Sequence, residues 1–289
     1  MTTELPLRPF GRTGLSIPVV SLGTSRLGHP ELSLSTAQGV LESALEGGIT
    51  YIDAAPHYGN AEAKLKPFLR SHRDKVLIAS KVLADRPGRR EVIAQLEQSL
   101  ERTGAGYLDV VHVHSAGDLD FEQVFGRDGM LAGLEEARAR GLLRYIGMSA
   151  HHRVAHVARI VATEAFDVVM LPLNIIDRHG YDFEEHVLPI AGRSGAAVLA
   201  MKVLGGAIPH AGPESTGQLA SRSESALRYA LGLPGIASAV IGCCNEEQVR
   251  AALEVARAYQ PLPAPELEEI LATGRKLAET LGQRWGPRE

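Results

Sequence analysis

The stretch Gly48-Ile49-Thr50-Tyr51-Ile52-Asp53-Ala54-Ala55-Pro56-His57-Tyr58-Gly59-Asn60-Ala61-Glu62 decides the fold. Residues 49–52 form a short apolar, strand-like run that Asp53 closes. Residues 35–46 before it read as a helix, opened by a Ser/Thr cap and stopped by Gly47-Gly48. Residues 61–69 after it read as a second helix. A helix, a short buried strand and another helix are the repeating pattern of an α/β chain.

The alternation continues outward in both directions. Residues 19–23 read as a strand, and 76–80 as another, followed by a helix over 89–103 with Val92, Ile93, Leu96 and Leu100 on one face. Strand 110–114 leads to helix 130–140, ended by Gly141, and strand 145–149 to helix 153–163. The last three units pair strand 168–171 with helix 183–193, strand 197–201 with helix 221–231, and strand 239–241 with helix 246–258. These eight strand–helix units have strands apolar on both faces, as a buried parallel sheet requires. The expectation is a single (β/α)8 barrel domain over residues 1–289. Two decorations lie outside the count: an N-terminal β-hairpin (5–10 and 16–19, turning at 11–14) and an extra C-terminal helix over 265–281. A doubly wound open sheet fits less well, because no Gly-x-Gly-x-x-Gly follows the first strand.

Composition narrows the function classes. The 289 residues are 45% apolar and 22% charged with a net charge of −4, enough for a large core and without a basic field for nucleic acid or anionic membrane. No apolar stretch is long enough to span a bilayer, and the N-terminus lacks a signal-peptide pattern. The two cysteines, Cys243 and Cys244, are adjacent, giving neither a zinc ligand set nor a disulfide framework. A cytoplasmic protein is expected.

In an alternating barrel the C-terminal strand ends share one mouth, where catalytic groups collect. Asp53, Tyr58, Lys81 and His114 each stand at or just after such an end. Singly they have ordinary readings: Asp53 as a helix cap, Tyr58 as a half-buried aromatic, Lys81 as a solvated charge. His114, with His112 two positions earlier, could be a structural pair or a metal fork, but no Cys, Asp or Glu stands at a supporting spacing, so no metal is expected. His151-His152 read as the start of the fifth helix. Together, an acid, a phenol, an ammonium and an imidazole make a proton-transfer set. A carbonyl reduced by hydride needs a proton donor, and an ammonium beside a phenol lowers its pKa.

Residues 48–62, with Asp53 followed five positions later by Tyr58-Gly59, resemble the aldo-keto reductase signature. The resemblance continues through Lys81, through His114 in 108–114, through 137–149 ending in Ser149, and through 166–178 and 200–206. It implies Tyr58 as general acid/base, supported by Lys81 and Asp53, with His114 orienting the substrate oxygen. It further implies a nicotinamide cofactor held by Gly23, Thr24, Ser149, Asn174, Met201, Leu204, Gly205, Gly242, Cys243 and Gln248. NADP(H) is the family preference and NAD(H) the alternative. The substrate would be a small carbonyl or alcohol, with no nucleic acid or membrane partner.

The chain departs from the family pattern at specific places. Ala150 follows Ser149 where Asn is usual, Met170 replaces a Gln, and Met201 replaces a ring-stacking Tyr. Gly242 and Gln248 stand where a Lys and an Arg commonly hold the 2′-phosphate, and Ala251-Ala252 replace a Glu-Asn pair. Glu246 and Glu247 oppose an anion there, leaving Arg250 or Arg222 as the nearest substitutes. The substrate-shaping segments are 24–34, 205–219 and the tail with Trp285, the only tryptophan. Three other functions fit parts of the pattern: a cofactor-holding regulatory barrel, a redox-neutral enzyme with tightly held NAD(P), and a metal-dependent barrel hydrolase.

Overall fold

A computed structural model describes residues 4–206 and 217–289. Eight parallel strands close into a barrel: β3 (Val20–Gly23), β4 (Tyr51–Asp53), β5 (Leu77–Val82), β6 (Leu108–Val113), β7 (Leu143–Ser149), β8 (Val168–Pro172), β9 (Ala197–Met201) and β10 (Ile236–Gly242), with β10 pairing back onto β3. An antiparallel hairpin of β1 (Leu7–Pro9) and β2 (Ser16–Pro18) precedes them. The helices are α1 (Leu34–Glu46), α2 (Ala61–His72), α3 (Arg89–Thr103), α4 (Phe121–Phe125), α5 (Met130–Ala139), α6 (Val154–Val161), α7 (Asp177–Gly180), α8 (Phe183–His186), α9 (Leu188–Ser194), α10 (Ser223–Gly232), α11 (Glu246–Arg257) and α12 (Ala264–Leu281).

The period-2 alternation of the strands sorts their side chains into two layers. Tyr51, Ala79, Val110, Val168, Leu199 and Ala237 point inward and pack with Phe10 and Ile17 of the hairpin, which plugs the barrel floor. Ile52, Ile78, Val111, Val169, Val198 and Ile241 point outward under the helices. Arg12 fixes the plug, donating to the carbonyls of Ser194, Glu164 and Phe166 and to Asp167. At α1, Ser33 Oγ accepts from the Thr36 amide at 3.0 Å, the expected cap.

The expected (β/α)8 barrel, hairpin and C-terminal helix are all present, but three local readings differ. The helix expected over 183–193 is split into α8 and α9, with α7 added before it. Asp182 sits in the left-handed region (φ 58°) and Pro189 opens α9, each interrupting a continuous helix. Helix α4 was not foreseen; Asp120 and Gln123 form its capping box. His151-His152 do not begin a helix, because α6 starts at Val154 after Arg153 in a left-handed conformation (φ 52°). Of the expected loop at 205–219, residues 207–216 lie outside the described residues. Among the described residues no helix is long and apolar enough to cross a membrane.

Candidate active site

The alternation that fills the barrel also aims its chemistry. Asp53 on β4 and Lys81 on β5 follow Tyr51 and Ala79 by two residues, so they too point inward, one layer nearer the mouth. Lys81 pairs in register with His112, and His114 follows two residues later, just beyond β6. The Lys81 ammonium lies 2.5 and 2.7 Å from the two Asp53 carboxylate oxygens and donates to the Ala54 carbonyl at 2.9 Å. Both partners are almost wholly buried.

Tyr58 reaches this pair from the loop after β4. Its backbone is seated against Gly28 in the loop after β3, where a Cβ would stand 1.5 Å from the Tyr58 carbonyl oxygen. Only glycine fits there. The Asn60 amide then bonds the Gly28 carbonyl at 3.0 Å, locking the two loops together. The Tyr58 ring centre lies 4.9 Å from Lys81 Nζ, and its hydroxyl is within the field of both Lys81 and Asp53. His114 meets the Tyr58 ring edge-on, 6.4 Å between centroids, with His57 at 6.0 Å on its other side.

Electrostatics set the protonation of these groups. Burial alone would lower Lys81, but Asp53 and the phenol oxygen outweigh it and hold the ammonium above its usual value. For Tyr58, burial pushes the phenol up, Lys81 pulls it down and Asp53 pushes again, with the net above the usual 10. This corrects the expectation that Lys81 would lower the phenol overall: its pull is present but loses to burial. Tyr58 is therefore a protonated donor. Burial, then Lys81, His57 and Lys202, lower His114 to about 3, leaving a neutral imidazole. Burial and Lys81 lower His112 to about 3 as well. His112 is a barrel-core group, contacting Tyr51 hydroxyl and the Met148 carbonyl, both at 3.4 Å. Among the described residues no three His, Cys, Asp or Glu side chains gather closely enough to hold a metal ion.

A cleft of about 140 Å³ runs from Asp53 and Tyr58 past Gly23, Met170, Met201 and Leu204 to Gly242. A second, of about 280 Å³, shares Leu204, Ile241 and Gly242 with it and continues along Cys243, Gln248, Ala251, Ala252 and Val255. A long trough results, lined by Asp53, Tyr58 and Lys202 at one end and apolar at the other. Gly23 and Gly242 pair in register at the ends of β3 and β10, so no side chains intrude on its middle. This shape and the Met170–Met201 wall suit an extended nicotinamide dinucleotide.

The other expected cofactor residues fall around this trough with different duties. Ser149 is buried, and its Oγ accepts from the Ser115 amide at 3.1 Å. Thr24 bonds the Asp53 carbonyl through both amide and hydroxyl, each at 2.9 Å. Asn174 is committed internally, donating to Asp177 (2.7 Å) and the Lys202 carbonyl (3.1 Å) while its oxygen takes the Ile176 and Asp177 amides. Gly205 has φ +81° and bonds the Lys202 carbonyl through its amide at 2.7 Å. Gln248 accepts from the Cys244 amide at 2.9 Å. Arg250 and Arg222 are held on the surface by Glu246 and Glu269, at 3.4 and 3.2 Å.

Four mouth residues were not singled out from the sequence as site residues. Arg26 lines the trough beside Gly242, its Cγ 3.4 Å from where a Gly242 Cβ would be. His57 and His151 flank His114, and Lys202 lines the cleft facing Trp285. Arg26 stands three residues past Gly23 at the end of β3, a strand-end position that does point to the mouth. Lys202 likewise directly follows the end of β9, and only its contact with Trp285 depends on the distant tail.

Comparison with known proteins agrees with this architecture. The PA4992 crystal structure from Pseudomonas aeruginosa superposes with a TM-score of 0.73 at 25% identity, covering 90% of this chain and 98% of that one. The uncharacterized oxidoreductase YqkF of Bacillus subtilis is 25% identical, the match covering 87% of this chain and 91% of YqkF. Methylglyoxal reductase YeaE of Escherichia coli is 33% identical over 47% of this chain, which spans about half, 46%, of YeaE. Residues 19–218 match the model of the Aldo/keto reductase family, and the chain belongs to that family.

Proposed function

We propose that this protein reduces a small aldehyde, ketone or sugar carbonyl with NAD(P)H, Tyr58 delivering the proton to the carbonyl oxygen. The observation that carries this reading is the buried Lys81–Asp53 pair set against the Tyr58 phenol, the ammonium 4.9 Å from the ring centre. When bound, the reduced nicotinamide supplies the hydride. Tyr58 holds its proton until negative charge develops on the substrate oxygen, and Lys81 then stabilises the phenolate left behind. Asp53 keeps the Lys81 ammonium aimed and charged. Neutral His114 orients the same oxygen from the other side. A barrel that only bound cofactor would have no use for this buried arrangement.

Met170, Met201 and Arg26 line the trough and would hold the cofactor there, the methionines offering apolar contact and Arg26 a cation for its diphosphate. Among the described residues, the apolar end of the trough is lined by no cation for a 2′-phosphate, which supports use of NADH alongside NADPH. The names of two partial relatives, methylglyoxal reductase and L-glyceraldehyde 3-phosphate reductase (29% identical over 51% of this chain and 46% of that protein), support short aldehydes as the substrate class. The test is a panel of aldehydes, ketones and sugars followed by loss of reduced-nicotinamide absorbance. Turnover of at least one class is expected. Tight cofactor binding with no turnover across the panel would overturn the reading.

A further inference from the structure

Lys202 follows the last residue of β9 and stands in the left-handed region, φ 55°, which a non-glycine residue rarely adopts. The strain is held in place: the Lys202 carbonyl accepts from Asn174 Nδ2 at 3.1 Å and from the Gly205 amide at 2.7 Å. The side chain turns into the mouth, its ammonium 4.4 Å from the Trp285 ring centre. Trp285 belongs to the tail beyond α12 and is fixed there. Its indole N–H donates to Asp177 at 2.9 Å and its amide to the Tyr181 hydroxyl at 2.7 Å. Gly206 permits the approach, since a Cβ there would lie 2.6 Å from the indole.

Among the described residues, the other charges beside Lys202 are paired. Asp53 neutralises Lys81 and Asp177 neutralises Arg284 at 2.7 Å. Among the described residues the Lys202 ammonium has no hydrogen-bond acceptor and no carboxylate within ion-pair distance; its close contact is the indole face. A cation–π contact of this kind supplies only part of what water would. The groups that face Lys202 include Asp177, Arg284, Lys81 and Asp53, and its field reaches His114 and His151. It therefore stands at the Trp285–His151 side of the mouth, whereas Arg26 covers the Gly242 end of the trough.

We propose that Lys202, backed by Trp285 and His151, anchors an anionic group, a carboxylate or phosphate, carried by the carbonyl substrate. This deepens the reading of Tyr58 as proton donor and rests on it. Burial, opposed by Asp177 and Asp53 and reinforced by Arg284 and Lys81, lowers Lys202 to about 8. A bound anion restores the full charge, so binding takes up a proton near that pH and weakens above it.

The test compares kcat/KM for glyceraldehyde 3-phosphate with glyceraldehyde, and for succinic semialdehyde with butyraldehyde, in wild type, Lys202→Met and Lys202→Arg. Lys202→Met should lower each anionic-to-neutral ratio by about 10- to 150-fold, mainly through KM, the range of one charge-assisted hydrogen bond. Lys202→Arg should keep most of the ratio. Calorimetry with inorganic phosphate, with and without saturating NADP+, supplies a readout independent of turnover. Phosphate should bind with NADP+ present, lose affinity in Lys202→Met and weaken about tenfold per pH unit above pH 8. An unchanged ratio would overturn the proposal. So would phosphate displaced by NADP+ together with weakened NADP+ binding in Lys202→Met, which would assign Lys202 to the cofactor diphosphate. If wild type reduces nothing, the Tyr58 reading falls, while phosphate binding still decides for or against Lys202.

Discussion

The two ends of the trough are built on opposite principles. At the Tyr58 end, a buried Lys81–Asp53 ion pair is set against the phenol, the ammonium 4.9 Å from its ring centre. At the Gly242 end the walls are Leu204, Leu227, Ala251, Ala252 and Val255, with Gln248 turned back onto Cys244. Even the Cys243 thiol there is pushed by burial up to about 12 and stays neutral. The nearby arginines, 222 and 250, are engaged with glutamates at the surface. In the proposed reading the first end transfers a proton, a task few residue types at few positions can perform. Holding an adenosine needs shape and apolar contact, which many side chains provide.

The largest effect that could break this contrast is expected at Lys81. Lys81→Met should cut carbonyl reduction by about 10²–10⁴-fold, the range of lost general acid catalysis. It also leaves the buried Asp53 carboxylate without its cation, a loss of about 3–5 kcal/mol that urea unfolding would show. Asp53→Asn should act in the same direction more weakly, because it loosens the ammonium rather than removing it. At the other end, wild type should discriminate little between NADPH and NADH in fluorescence titrations. Gln248→Arg should then favour NADPH by about 10- to 150-fold, one charge-assisted contact with the 2′-phosphate. A wild-type preference for NADPH beyond that range would show that Arg26 or another cation already serves the phosphate. The smallest effect concerns His112, buried and lowered to about 3. The unfolded chain binds a proton near 6.5 that the folded one refuses, so stability falls as pH drops. From pH 7 to 5 the His112 share of the loss is about 2 kcal/mol; His114 and His151, also lowered, add to the total, and His112→Gln should remove its share of the shift in urea midpoint.

These contrasts explain what could be read from the chain and what could not. Asp53, Lys81 and His114 were legible because strand alternation and pairing register carry them inward once the strands are placed. Tyr58 lies five residues past Asp53 in a short loop, so its position follows closely. The direction of its pKa did not follow, since burial outweighs Lys81 only in three dimensions. Lys202 and Trp285 are far apart in sequence and meet because the tail crosses the mouth, a path with no local signal. His151 was read as the opening of a helix because nothing in the sequence marks Arg153 as left-handed. Likewise the apolar pattern of 183–193 conceals the break before Pro189.

The account rests above all on Tyr58 as the proton donor, a role separate from cofactor binding. Its most direct test pairs a cofactor titration with single-turnover reduction of the best carbonyl substrate, in wild type and Tyr58→Phe. The account predicts nearly equal cofactor affinity and a reduction rate lower by at least about 10²-fold in the variant. A Tyr58→Phe protein that reduces the carbonyl at close to the wild-type rate would contradict it.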